Sequence, residues 1–427
     1  MDSDGPDRRI PTLRAPASMV FMKERTSLMR QRRTFLVVNG SVFLFMLGVG
    51  AVVPLLPGIV AGLAGTPSAA GYLASAFAVS YIALQVPMGR LADRWGFRPF
   101  IALGYGLCGL SGILYFFGGS LPAILSGRLL QGAGEAPVWA LAPALLALRN
   151  PASKGRIIGT FNASLHLGLT LGPLLGLLMW HFGWQRSAFL FFAGVSAASA
   201  LLVALFAEDR DPAPEKKTAA DRIDFRKAAT LVKGGVMPAV LAGVVLYGAG
   251  YGLFVTTVPA FLIGVKGLSQ GAVFFFFSLY YIAIGATQAV AGALSDRRGR
   301  ERFLAAGMAG AAAGLALFPG FDRWAVLGPL LLAGLGFGTF HVASMAWLND
   351  RAALSLKGTI SGLYYLAWGI GFFAGPPLTG KLGDALGYRT AFAVFAALLL
   401  FEGAVLSRMR CDEGEGTAKE RPAPLSS

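Results

Sequence analysis

Apolar runs of roughly 18 to 25 residues recur along almost the whole chain, and each is long enough to cross about 30 Å of hydrocarbon as a helix. FLVVNGSVFLFMLGVGAVVPLLP near the start and RTAFAVFAALLLFEGAVLS near the end are two of them. A globular core cannot enclose so many. Hydrophobic residues make up 55% of the 427 and charged residues 14%, roughly half the charged share of a soluble domain. With a mean hydropathy of +0.62, the solvent for most of this chain is lipid. The fold class is therefore an all-α membrane protein.

Twelve transmembrane helices are expected, near 35–57, 69–89, 100–118, 122–148, 156–180 and 184–206, then 236–262, 270–293, 303–319, 324–348, 358–380 and 388–407. The charged, Pro-broken segment 207–235 reads as a linker between two six-helix bundles, 35–206 and 236–407. A basic N-terminal tail, 1–34, and a C-terminal tail, 408–427, complete the chain and are both expected in the cytoplasm. The basic residues test this map. With the N-terminus inside, 31 of the 37 Lys and Arg fall on the inner side. Five are outside (Arg186, Lys266, Arg323, Lys381 and Arg389), and Arg128 alone lies within a span. Inner loops gather Lys and Arg in this way, so the net charge of +15 is mainly a topology signal. Contact with anionic lipid explains the basic arm, and no nucleic-acid partner is expected.

The chain has no CxxC, HExxH or GxxxxGK[ST] element. This argues against a nucleotide-driven pump or a metalloenzyme. Cys108 falls in a span and Cys411 in the tail, so a disulfide is not expected. No nucleophile–base constellation appears, and no enzyme activity or cofactor is expected.

The two halves repeat. GRLADRWGFR begins at Gly89 and GALSDRRGRER at Gly292; at an offset of 203 residues Gly89/Gly292, Asp93/Asp296, Arg94/Arg297 and Gly96/Gly299 are identical. At the same offset Gly159, Gly168, Gly172 and Pro173 fall on Gly362, Gly371, Gly375 and Pro376. Two unrelated motifs sharing one offset mark a duplication, as in carriers whose bundles rock about a central site.

These residues resemble the major facilitator superfamily over about 35–407. GRLADRWGFR resembles its motif A and GALSDRRGR a weaker copy, with Phe97 standing where a basic residue is usual. The resemblance implies a cytoplasmic gate formed by Gly89, Asp93, Arg94, Gly96 and Arg98, and by Gly292, Asp296, Arg297 and Gly299 in the second half. Gly89 would permit close helix approach, and Asp93 would bridge to bases or cap a helix N-terminus. Gly159, Gly168, Gly172, Pro173 and Gly176 resemble motif C, the antiporter motif, with Gly371, Gly375 and Pro376 as the copy. Glycines at these spacings make a smooth helix face, and the proline removes a backbone bond and bends the helix. RLLQGAGE resembles motif B. No PESPR-type signature of sugar carriers is present.

Arg128, Gln131 and Glu135 lie at i, i+3 and i+7, on one face of a helix. A charge at this depth costs at least ~2.5 kcal/mol, so this face must look into the bundle or a wet cavity. Glu135 is placed to exchange a proton as the cavity opens, or to join a static Arg–Gln–Glu network that holds helices together. Asn162 and His166 sit at i and i+4 on the fifth span and are candidates to face Glu135. His341 and Asn349 lie on the tenth span. Gln85, Tyr247, Tyr251, Tyr281, Gln288, Tyr364, Tyr365 and Trp368 are pocket candidates.

The leading functional reading is a proton-coupled antiporter exporting a small amphipathic solute, driven by the proton gradient. An alternative of the same fold is a carrier of a metabolite or of a metal cation such as iron. Glu135, His166 and His341 are suitable ligand types, and QGAGEAPVWALAPALL and NASLHLGLTLGPLLG resemble the magnetosome-membrane branch of the superfamily. A non-transporting scaffold with this fold is the third reading. A monomer is expected, in the bacterial inner membrane or a specialised membrane such as the magnetosome.

Overall fold

The computed structural model describes residues 17–150, 153–209, 236–351 and 357–408; the side chains of residues 17–28 and of a few helical residues, Asp93 among them, lie outside the description. Most of the expected linker and the C-terminal tail lie outside it too. The first half contains α1 (Ala17–Val52), α2 (Leu56–Ala64), α3 (Gly71–Trp95), α4 (Arg98–Phe117), α5 (Leu121–Arg149), α6 (Lys154–His181) and α7 (Gln185–Phe206). The second contains α8 (Met237–Val255), α9 (Thr257–Gly264), α10 (Gln270–Arg298), α11 (Arg300–Leu317), α12 (Leu327–Arg351), α13 (Lys357–Leu386) and α14 (Tyr388–Arg408).

Among the described residues twelve helices have at least 18 residues, and ten stretches are long and apolar enough to cross a membrane. The long helices outside those ten are α5 and α13. Both carry Pro within the helix, and α5 also holds Arg128, Gln131 and Glu135. Their buried faces meet protein, so they need less hydrocarbon surface of their own. α1 begins inside the segment expected to be a tail. Ala, Met, Lys, Glu, Leu, Arg and Gln in that stretch are all strong helix formers, so the helix runs on past the apolar part.

The first helix of each half breaks at an equivalent place. Pro54 and Pro57 each lack a backbone donor, and α1 yields to the 3₁₀ turn Val53–Leu55 before α2. In the second half Thr256 leaves helical geometry between α8 and α9, its hydroxyl donating to Gly252 O at 2.7 Å.

Helix packing repeats as well. α1·α6, α3·α5, α4·α5, α4·α7 and α1·α7 have the counterparts α8·α13, α10·α12, α11·α12, α11·α14 and α8·α14. The motif C glycines form the first of these interfaces. A Cβ on Gly168 would lie 2.6 Å from Phe43 O, and one on Gly50 2.9 Å from the Pro173 ring. In the copy, Gly371 and Gly375 press on Val245 and Ala249, and a Cβ on Gly252 would lie 2.6 Å from the Pro376 ring. α6 and α13 continue as single helices through Pro173 and Pro376.

The halves meet through α6 against α10, α3 against α13, and α2 against α9. α7 ends and α8 begins at one end of the bundle, the linker face; the α1–α3 and α8–α10 connections lie at the other, the far face. At the far face Gln270 donates to Pro54 O at 2.8 Å, and deeper in Ser75 donates to Phe373 O at 2.6 Å and Ser278 to Thr170 O at 3.3 Å. Deepest are Ile82 against Gly369 and His166 against Gln288, at 2.7 Å for the latter. Gly89 lies two helical turns beyond Ile82 on the same face, and Gly159 two turns beyond His166. A Cβ added at either would meet nothing within 4 Å. Among the described residues the halves touch from the far face to this depth, and neither glycine meets a neighbour beyond it.

This arrangement makes a cross-linking prediction. A Cβ on Gly380 of α13 would lie 3.1 Å from Ser68 Cβ, inside the reach of a disulfide after slight relaxation. A Ser68→Cys, Gly380→Cys protein should cross-link under mild oxidation and stop transporting until reduced. Free turnover of the oxidised protein would show that the far face does not need to open.

Candidate functional site

The site is built on α5, between α3 and α4. Glycines let the three helices close up: a Cβ on Gly134 would lie 2.5 Å from Gly104 O, and one on Gly132 2.5 Å from Ser80 Oγ. Ser80 seals this contact by donating to Leu129 O at 2.6 Å. The face of α5 bearing Arg128, Gln131 and Glu135 is thereby enclosed, with exposures of 4%, 1% and 6%.

Arg128 and Glu135 are joined through Gln131. The Arg128 guanidinium donates to Gln131 Oε1 at 3.0 Å and to Leu73 O at 3.2 Å, and sits 4.9 Å from the centre of the Phe77 ring. Tyr115 OH donates to the same Gln131 Oε1 at 2.7 Å. The Gln131 amide then donates to Glu135 Oε1 at 2.9 Å, and the Trp139 indole to Oε2 at 2.9 Å. Both carboxylate oxygens are satisfied, and the positive charge is held by a carbonyl, an amide and an aromatic face, as buried ions require.

Phe77, which carries the Arg128 guanidinium on its face, borders the second half. An aromatic wall crosses the interface there: Phe77 meets Phe372 at 5.9 Å between ring centres, Tyr81 meets Trp368 at 6.1 Å, and Tyr251 meets Trp368 at 5.8 Å. Farther into the second half Tyr247 stacks on His341 at 5.2 Å, and His341 Nδ1 is 2.7 Å from Tyr364 OH.

Several expectations need correcting. His166 turns to Gln288 of α10 across the halves, and Asn162 is exposed one turn nearer the linker face, so neither supports Glu135. Asn349 donates to Met345 O of its own helix at 2.8 Å. Glu135, His166 and His341 do not form a metal site; among the described residues no group of three or more His, Cys, Asp or Glu is placed to hold an ion. Trp139 was not anticipated, although its position at i+4 from Glu135 puts it on the same face. Tyr115 and Phe77 reach the site from other helices and left no signal in the spacing.

The motif A turns agree in backbone but not in partners. Gly96 and Gly299 both adopt φ of +89°, a conformation that favours glycine. A Cβ on Gly89 would meet nothing within 4 Å, so the close helix approach expected there is not seen among the described residues. The side chain of Asp93 lies outside the described residues. The N-terminus of α4 is capped by Asp209, just after α7, which accepts from Phe97 N at 2.8 Å and Arg98 N at 3.2 Å. Arg94 and Arg98 are exposed. In the second half Asp296 pairs with Arg300 at 2.9 Å, and Arg300 with Asp350 at 2.6 Å. Gly292 meets only the Val342 side chain, at 3.4 Å from an added Cβ.

Two like helical halves that meet at the far face, with a buried polar cluster in the first, are the architecture of a membrane transporter. The chain belongs to the Major Facilitator Superfamily, whose family model matches residues 38–280 and 240–426. It is a multi-pass membrane protein and a transporter, not an enzyme. It is 23% identical over 392 residues to an MFS-type transporter of Methanocaldococcus jannaschii, covering 87% of this chain and 96% of that one. Multidrug resistance protein 2 of Bacillus subtilis is 27% identical over 183 residues, 43% of this chain and 45% of that protein. Quinolone resistance protein NorA of Staphylococcus aureus is 31% identical over 137 residues, 32% of this chain and 35% of that protein. These two matches span less than half of the resistance proteins. Among solved structures, a single-substitution mutant of the nucleoside transporter NupG superposes with a TM-score of 0.75 at 14% identity, covering 88% of this chain and 99% of that one. A bacterial homologue of the human lysosomal transporter Spinster does so with a TM-score of 0.75 at 17% identity, covering 93% and 99%.

Proposed function

We propose that the protein exports a small amphipathic solute in exchange for protons, by alternating access between the linker face and the far face. All twelve long helices cross the membrane in this reading. The linker face is cytoplasmic because the basic residues gather there. The membrane is the bacterial inner membrane, the protein works as a monomer, and the proton gradient supplies the energy.

The observation that carries the proposal is Glu135, a buried carboxylate that among the described residues has no direct cation and accepts from Gln131 and Trp139, in a network that reaches the second half through Phe77 and Phe372. Arg128 acts on it only through Gln131, so Glu135 can gain or lose a proton while Arg128 keeps Leu73 O, Phe77 and Gln131. When the halves rock, the aromatic wall contributed by the second half moves relative to Glu135. A drier surrounding then favours the protonated acid and a wetter one the carboxylate. The same wall offers planar apolar surface to an amphipathic solute. Motif C and the partial similarity to two resistance proteins point toward efflux.

The test uses protein in liposomes with a pH dye inside, presented in turn with lipophilic cations and organic acids. One compound class should move protons through wild type, and Glu135→Gln should reduce that signal by at least about 100-fold, the scale of losing a positioned acid–base group. Equal proton movement in both proteins would make Glu135 structural and end the coupling proposal.

A further inference from the structure

Glu402 takes no part in the site just described. It lies near the linker end of α14, is 6% exposed, and its Oε1 is enclosed with no hydrogen-bond partner among the described residues. Its neighbour Gly403 faces α11: an added Cβ would lie 3.3 Å from Met308 Cβ and 3.4 Å from Ala305 O. The repeat indicates what Glu402 faces. At the offset of 203, Glu402 corresponds to Ser199, fully buried in the first half, which donates to Ser41 O of α1 at 3.0 Å. The equivalent of α1 is α8, so Glu402 occupies the junction of α8, α11 and α14.

Among the described residues that junction offers a carboxylate no partner. Residues 237–246 of α8 read MPAVLAGVVL and residues 304–312 of α11 read LAAGMAGAA, with no polar side chain in either. The nearest charged residues of the packed helices are at their linker ends. Arg302 and Arg408 are exposed, and Glu301 is engaged by Trp347 and Arg351. A serine suits such a place because its hydroxyl bonds a backbone carbonyl. An ionised carboxylate does not, since it accepts without donating and its desolvation is uncompensated. Buried acids without a cation or donors are kept neutral.

We propose that Glu402 is a second proton-binding site, a neutral carboxylic acid buried in the second bundle and separate from Glu135. As a neutral acid in an apolar junction it is also a modification site for membrane-soluble carbodiimides. The acid proton passes to a carbodiimide nitrogen and the carboxyl oxygen bonds the central carbon, giving an O-acylisourea. Acyl migration from oxygen to nitrogen then leaves a stable N-acylurea, with nothing oxidised or reduced. The proposal does not depend on proton-coupled efflux.

The experiment treats full-length protein in liposomes with dicyclohexylcarbodiimide or with a water-soluble carbodiimide, and reads the adducts by peptide mass spectrometry. Thermal unfolding of wild type and Glu402→Gln is measured from about pH 5 to about pH 9. The Glu402 peptide should carry about tenfold more adduct with the membrane-soluble reagent, none in Glu402→Gln, and the same amount in Glu135→Gln. Because folding favours the protonated acid, wild type should match Glu402→Gln at low pH and fall below it as pH rises. If packing hides the group from the reagent, that pH-dependent gap alone supports the proposal. Equal labelling by the water-soluble reagent, or no adduct together with a pH-independent gap, overturns it. Loss of proton movement in Glu135→Gln bears only on the central site, so the two readings fail separately.

Discussion

Arg128→Ala should cost about 3–5 kcal/mol of stability, the scale of removing one member of a buried charge network. The change strips a donor from Leu73 O and from Gln131 Oε1, and takes the cation from the face of Phe77. Glu135 would then remain as the site's only charge, in a place 6% exposed. Replacing both charges by uncharged groups of similar shape should undo most of this damage. Arg128→Met with Glu135→Gln should therefore fold better than Arg128→Ala, yet carry no protons. Thermal unfolding in detergent checks the first part and the liposome assay the second. If Arg128→Ala unfolds at the wild-type temperature, the network does not hold α3, α4 and α5 together.

The second large effect concerns the helix pair built by motif C. Gly168→Val and Gly371→Val should each abolish or severely reduce folded protein. A Cβ at residue 168 would lie 2.6 Å from Phe43 O, and one at residue 371 would run into Val245 O. The obstacle is backbone in both cases, so a rotamer change gives no relief, and the cost should exceed the ~1–3 kcal/mol of ordinary overpacking. Gly159→Ala is the contrast, with nothing within 4 Å of its Cβ. It should fold at least as well as wild type, since Ala favours helix by about 1 kcal/mol. Folded yield separates these outcomes. If Gly159→Ala folds but loses transport, the start of the motif serves movement, while Gly168 and Gly371 serve packing.

The two copies of that interface explain why so much of the fold was legible in the sequence. Gly168, Gly172 and Pro173 recur as Gly371, Gly375 and Pro376 because each half solves the same local problem, seating one helix on the first helix of its bundle. Such packing needs small residues at fixed positions, and an offset of 203 carries them from one half to the other. The apolar runs also placed α5 and α13 as spans, although neither is among the ten stretches that meet the stricter length and hydropathy limits. The start of α1 was not legible, because polar helix formers such as Lys, Arg and Gln continue a helix without any hydrophobic signal.

The candidate site divides along the same line. That Arg128, Gln131 and Glu135 share a face follows from helix period alone, and that the face is enclosed follows from the cost of charge in hydrocarbon. Which partners satisfy them depended on neighbouring helices distant in sequence. Leu73, Phe77 and Tyr115 supply the carbonyl, the ring and the hydroxyl. His166 found Gln288 instead of Glu135 for the same reason: the halves close at the far face, and this brings α6 against α10. The sequence by itself determined an all-helical membrane protein of two like halves with a charged face buried in the first. Only the tertiary structure decided that Gln131 stands between the two charges and that the halves meet through α6 and α10, because both depend on contacts between helices that no local pattern encodes.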